Sequence, residues 1–164
     1  MSYYHSFEKL TKLLGNSNIV GTYSEKIVCD TLGLTKQPDS HKFTDAKGTD
    51  GKTYQIKSRW NKSFLRDKSG QNEFGSFAYC ESNYPFDFLI LVYYENDLLH
   101  PKVFQIESLN INLLLGDIAQ KKNNRVIVRY NNAFKQAVKN TPYICDISDQ
   151  FKSIFINRGG KIIE

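Results

Sequence analysis

The run FLILVYY at residues 88 to 94 constrains the fold more than any other stretch of the chain. It does not alternate apolar and polar residues, so neither face is reserved for water. A strand of this kind belongs inside a sheet covered on both faces. It is also far shorter than the roughly 20 apolar residues that a membrane-spanning helix needs. The segment PKVFQIE follows as its expected neighbour, and RVIVRY reads as a further strand.

Helical periodicity lies on either side of these strands. Phe7, Leu10, Leu13 and Leu14 share one face of a predicted helix over residues 5 to 14, which Gly15 stops. A second predicted helix runs from Gly21 to Leu32. It turns Tyr23, Ile27, Val28 and Thr31 or Leu32 inward, with Gly33 at its C-cap. TKQPDS reads as a connector and LNINLLLGDI as helical or irregular. NNAFKQAVKN is a short helix with Phe134 and Val138 one turn apart, and the last twenty residues stay ambiguous. Helices first, then strands mixed with helices, predict an α/β fold on one mixed sheet. At 164 residues the chain suits a single domain over 1 to 164.

The stretch TDAKGTDGKTYQIKSR, residues 44 to 59, does not fit a purely structural hairpin so simply. KFTDAK and KTYQIKS read as two strands around GTDG. They place an acid, an amide and a lysine on a half-buried ribbon, where such groups need partners. Loop length decides whether they meet. A two-residue Asp50-Gly51 turn pairs Asp45 with Ile56 and sends Asp45 to the face opposite Gln55 and Lys57. A three-residue loop, Thr49-Asp50-Gly51, pairs Gly48 with Lys52 and brings Asp45 to face Gln55. A bulge has the same effect.

In the convergent case the chemistry is specific. Asp45 supplies a hard oxygen suited to Mg²⁺, Gln55 an amide oxygen, and Ile56 a backbone carbonyl. Lys57 is a cation placed to hold a water or to stabilise charge growing on a phosphate. A metal beside such a lysine suits phosphodiester hydrolysis. Glu25, on the second predicted helix, is a further oxygen source if that helix packs beside the hairpin. Its plain reading is a solvated glutamate near a helix start, favoured by the helix dipole. For the hairpin, the plain reading is a Lys–Asp cross-strand pair worth a fraction of a kcal/mol.

Asp45, nine residues, then Gln55-Ile56-Lys57 resembles the active-site signature of the PD-(D/E)XK nuclease superfamily, of restriction-endonuclease-like fold. Glu25 matches the helical glutamate found in many members, and FDFLILVYYEND is similar to the buried strand that follows the motif. The resemblance covers residues 19 to 108. It implies an α/β fold with a central mixed β-sheet flanked by helices. It also implies a Mg²⁺-dependent endonuclease acting on double-stranded DNA, with Mn²⁺ able to substitute, in the manner of the short type II restriction enzymes. Catalysis then falls to Asp45, Gln55, Lys57 and Glu25, and metal binding to Asp45, Gln55, Ile56 and Glu25. Gln55 stands where most members carry a carboxylate, although methyl-directed branches look similar in using Gln. That departure keeps a catalytically inactive DNA-binding module in play, beside a structure-specific repair or junction nuclease. Pro38-Asp39 also spells part of the signature, but it lies in a connector, so Asp45 is preferred and Asp39 held in reserve.

The net charge is +5, which suits an anionic partner. Between Lys52 and Lys68 six basic residues stand against Asp67 alone, an excess as large as that of the whole chain. Arg59, Lys62, Arg66 and Lys68 are thus candidates for the DNA backbone. Gln71 and Asn72 can read an adenine edge. The alternative is a solvated loop with Trp60 and Phe64 tucked into the core. Double-strand cleavage by single sites implies a homodimer matching the duplex two-fold, with a methyltransferase as a possible partner. Cys29, Cys80 and Cys145 are too scattered for a zinc site or a disulfide framework, and read as reduced, buried thiols. The polar N-terminus carries no signal peptide, so a cytoplasmic location without membrane association is expected. His5, His41 and His100 are scattered and receive no role. No GxSxG, P-loop or GxGxxG motif occurs.

Overall fold

The computed structural model describes residues 17–38, 40–41, 43–61, 73–80, 83–95, 98 and 100–157. The chain forms helix α1 (Ser17–Leu32), then strands β1 (Thr35–Lys36), β2 (Ala46–Lys47) and β3 (Thr53–Trp60). Strands β4 (Phe77–Ala78), β5 (Phe88–Tyr94) and β6 (Lys102–Glu107) follow, then a 3₁₀ segment, Ser108–Leu114. Strands β7 (Ala119–Lys122) and β8 (Arg125–Val128), helix α2 (Asn132–Asn140), strand β9 (Cys145–Asp146) and helix α3 (Ser148–Asn157) complete it. Among the described residues, no helix is long and apolar enough to cross a membrane.

The architecture is mixed α/β. A six-stranded sheet has the order β1-β2-β3-β5-β6-β9, and only its β3–β5 pair is parallel. Strand β5 sits inside it, as its unbroken apolar run requires. Leu89, Leu91 and Tyr93 point into one core, and Ile90, Val92 and Tyr94 into the other. The second core lies under α1 and α3, through Val20, Ile27, Val28 and Phe151. Each such buried apolar side chain contributes about 1.5–3 kcal/mol. The first core lies under α2, the 3₁₀ segment and a separate three-stranded sheet of order β4-β8-β7.

Helix α1 ends as its sequence dictates. Gly33 takes φ 71°, and Leu34 N–H returns to Cys29 C=O at 2.9 Å. That bond closes a Schellman cap. At its other end the helix starts earlier than predicted, at Ser17. Ser24 is buried inside it because its hydroxyl has partners, Val20 C=O at 2.7 Å and the Tyr94 hydroxyl at 3.0 Å. Helix α2 opens on Asn131, whose side chain accepts Phe134 N–H at 2.9 Å.

Several expectations change. One mixed sheet was predicted and two occur, because RVIVRY pairs with β4 and β7 rather than joining the large sheet. TKQPDS is not all connector, since Thr35–Lys36 pairs with β2. Cys29 is buried as expected, but Cys80 and Cys145 are exposed; all three are free. The predicted helix over residues 5 to 14 lies outside the described residues.

Candidate metal centre on the β2–β3 hairpin

The register settles which hairpin forms. Ala46 pairs with Tyr54 and Lys47 with Thr53. Gly48 N–H meets Lys52 C=O at 2.8 Å, closing the three-residue loop. Gly51 adopts φ 85°, which only glycine enters without strain. Asp50 Oδ1 accepts Lys52 N–H at 3.0 Å and completes the turn. Asp45 therefore faces Gln55.

Strand β2 covers only the first two residues of β3. At Asp45 the chain turns away to β1, and Asp45 C=O accepts Gln37 N–H at 2.8 Å. Beyond Tyr54, no strand among the described residues pairs with that edge of β3. The Asp45 side chain fills the start of the gap. Its Oδ2 accepts the Ile56 N–H at 2.6 Å and the Gln55 side-chain amide. Lys57 Nζ stands 3.6 Å from the same oxygen, an ion pair longer than a direct hydrogen bond. Lys57 and Asp45 side chains are about one-fifth exposed, so the pair is neither dry nor fully solvated.

Two hydrogen-bond donors and one ammonium thus converge on one carboxylate oxygen. Among the described residues the second oxygen, Oδ1, accepts no hydrogen bond. A strand residue sends its N–H and C=O to the same edge, so the Ile56 carbonyl leaves β3 on the Asp45 side. A carboxylate, an amide and a backbone carbonyl form a set of hard oxygen ligands, suited to Mg²⁺ and poor for soft metals. Gln55 currently presents its NH₂; a half-turn of the amide presents its oxygen instead. Among the described residues, no group of three or more His, Cys, Asp and Glu side chains forms a metal site. Any ion here rests on one carboxylate with neutral oxygens.

Glu25 reaches the neighbourhood from the other side. Helix α1 covers the Ala46 and Ile56 face of the sheet, opposite the Gln55 and Lys57 face. Glu25 Oε2 pairs with Lys36 Nζ at 3.0 Å, and Lys36 lies opposite Ala46 in the β1–β2 ladder. Cys29 feels both acids. Its thiol is pushed up to about 11, first by burial, then by the charges of Glu25 and Asp30, with Asp45 adding to them. Glu25 and Asp45 thus act on a common point, although Glu25 is engaged by Lys36 rather than by the hairpin cluster.

Lys57 has a support that the sequence did not reveal. A Cβ on Gly75 would lie 3.2 Å from Lys57 Cδ, so the glycine backbone packs on the lysine stem. Buried Phe74 and Phe77 anchor that segment. Phe74 N–H bonds to Val128 C=O at 2.9 Å, and Arg129 pairs with Glu73 at 3.3 Å. The available signal was the glycine inside EFGSF, flanked by two aromatics. Arg59 is half-buried opposite Tyr93 in the β3–β5 ladder. Burial first, then the charges of Glu95 and Tyr130, push the Tyr93 phenol up, and Lys102 and, least, Arg59 oppose that rise. Lys62, Arg66, Lys68, Gln71 and Asn72 lie outside the described residues, as does Asp39. Neither a known family model nor a curated protein matches the chain.

Proposed function

We propose that this chain is a Mg²⁺-dependent DNA endonuclease of restriction-endonuclease-like fold, acting as a sequence-specific type II restriction enzyme. One observation carries the reading. Asp45, Gln55, the Ile56 backbone and Lys57 meet where β2 leaves β3 and opens an edge of the sheet. The buried β5 running parallel to β3 is consistent with the resemblance drawn from the sequence.

In the proposed reaction a water oxygen adds to phosphorus and one P–O ester bond breaks. Asp45, Gln55 and the Ile56 carbonyl would hold a divalent ion, which would supply Lewis-acid polarisation of the phosphate and lower the pKa of a water. Asp45 orients the donor set, since it also fixes Ile56. Lys57 directs its ammonium protons at the attacking water and at the phosphate oxygens as their charge grows. Glu25, paired with Lys36 at 3.0 Å, would have to release it to join the set. Arg59 and the basic residues after it hold the DNA backbone, and a homodimer aligns two such sites with the two strands.

A second reading has its own observation. The Gln55 amide turns its NH₂, not its oxygen, toward Asp45 Oδ2, as expected of a nuclease fold that binds DNA and no longer cuts. Incubating the protein with plasmid and phage DNA in Mg²⁺ or Mn²⁺ and sequencing the ends separates the readings. Discrete fragments with a shared end sequence support the restriction enzyme. Preference for branched substrates supports a junction nuclease, and binding without cleavage supports the silent module.

A further inference from the structure

We infer that the β7–β8 hairpin is a second DNA-binding element, gripping the duplex a few base pairs from the cleavage centre. The inference rests on the nuclease reading above for the position of the scissile phosphate. From Ala119 to Arg129 the chain carries Lys121, Lys122, Arg125 and Arg129 and no acidic residue. Strand β7 lies at an edge of the small sheet, and Gln120 to Arg125 are all exposed. Val126, Val128 and Ala119 point into the core. Alternation therefore puts Gln120, Lys122, Arg125 and Ile127 on the outer face.

The cations are ordered rather than trailing in solvent. Lys121 Nζ sits 3.3 Å from the centre of the Tyr79 ring. Arg125 donates Nε–H to Ser76 Oγ at 2.7 Å and one Nη2–H to Ser76 C=O at 3.0 Å. Among the described residues two of its five donors are used, which leaves three that can meet a phosphate. Lys122 makes no ion pair among the described residues. At the tip Asn123 takes φ 54°, a conformation asparagine tolerates. Asn123 and Asn124 there bring side-chain amides of the kind that reads adenine. A two-stranded ribbon of this width fits a major groove.

The hairpin also lies close to Lys57. Gly75 touches the Lys57 stem, and Ala78, three residues on, lies opposite Arg125. At about 3.3 Å per residue and about 4.8 Å between strands, Arg125 lies within about 15 Å of that contact. That distance spans about four base pairs of B-form DNA at ~3.4 Å each.

The test is fluorescence anisotropy of a labelled duplex in EDTA, titrated at several NaCl concentrations. Lys122→Gln, Arg125→Gln and their double variant are compared with wild type. Lys152→Gln, on α3 in the opposite layer, is the control. Each hairpin variant should lower the slope of log K against log [salt] by about one, and the double variant by about two, with Lys152→Gln unchanged. Lys122→Gln removes no ion pair among the described residues and the side chain is exposed, so its result stands even if Arg125→Gln perturbs folding. Unchanged slopes in both single variants overturn the inference and leave the nuclease reading intact. A wild-type protein that binds no DNA, with or without Mg²⁺, overturns both. A hairpin-dependent slope in a protein that never cleaves with Mg²⁺ sustains the inference and overturns the nuclease reading.

Discussion

Asp45 Oδ2 accepts the backbone N–H of Ile56 at 2.6 Å, so the acid that defines the candidate centre also ends the β2–β3 ladder. It occupies the place where a strand partner would sit. Asp45→Ala should leave the Ile56 N–H without its acceptor and cost about 1–3 kcal/mol of stability in EDTA. Asp45→Asn, which keeps an acceptor oxygen, should cost less. Urea denaturation of the three proteins checks the order, and equal stabilities would contradict it.

Gln55 faces the same oxygen, so its charge sets how the centre behaves without metal. Gln55→Glu should place two carboxylates within hydrogen-bonding distance and lower the melting temperature in EDTA. Mg²⁺ should restore it, because a second carboxylate strengthens hard-ion binding. An ion at ten times its dissociation constant adds about 1.4 kcal/mol. Thermal melts with and without Mg²⁺ measure the difference. A Mg²⁺ response no larger than that of wild type would count against a metal at this position.

A Cβ at Gly75 would stand 3.2 Å from Lys57 Cδ, so the lysine stem would have to give by a few tenths of an ångström. Gly75→Val should push the ammonium off its line while leaving DNA binding within a few-fold of wild type. A misplacement near 1 Å can cost about 10²-fold in rate. Single-turnover cleavage beside an anisotropy titration separates the two effects. Equal losses in both would mean that the glycine serves the fold rather than the lysine.

Away from the centre, Asp87 joins the starts of β3 and β5. Its Oδ2 accepts Thr53 N–H at 2.8 Å and the Thr53 hydroxyl at 3.0 Å. The backbone hydrogen bond above all, then the Thr53 hydroxyl and Lys52, holds its carboxyl below the ordinary range, against a smaller opposing effect of burial. A carboxyl with a depressed folded-state pKa stabilises the protein above its unfolded pKa, about 3.9. That contribution disappears as pH falls through the lower folded value. The melting temperature of wild type should therefore drop more steeply below about pH 4 than that of Asp87→Asn. Parallel slopes would show that this carboxyl contributes nothing to acid stability.

The sequence carried the parts of the fold that follow from local pattern. The FLILVYY run announced a strand buried on both faces, and Gly33 marked the end of α1. The hairpin was legible as a choice between two registers, and the positive φ of Gly51 belongs to the one that unites Asp45 with Gln55. Long-range pairing was not legible. Nothing local in RVIVRY says that it joins a second sheet, and Thr35–Lys36 is too short to register as a strand. The Gly75–Lys57 contact depends on where the second sheet docks, which is a property of the packed core. The Glu25–Lys36 pair forms only because β1 runs beside β2 under α1.

Lys57 is the residue on which the central claim turns, since it stands beside Asp45 without being needed for the Ile56 hydrogen bond. The most direct measurement is cleavage of unmodified plasmid DNA by wild type and Lys57→Ala under identical Mg²⁺ concentrations. Wild type should yield discrete fragments, and Lys57→Ala none, with both proteins binding the DNA and melting cooperatively. Fragments of the same pattern and rate from both proteins would contradict the account, as would a wild-type protein that leaves modified and unmodified DNA intact in Mg²⁺ and Mn²⁺.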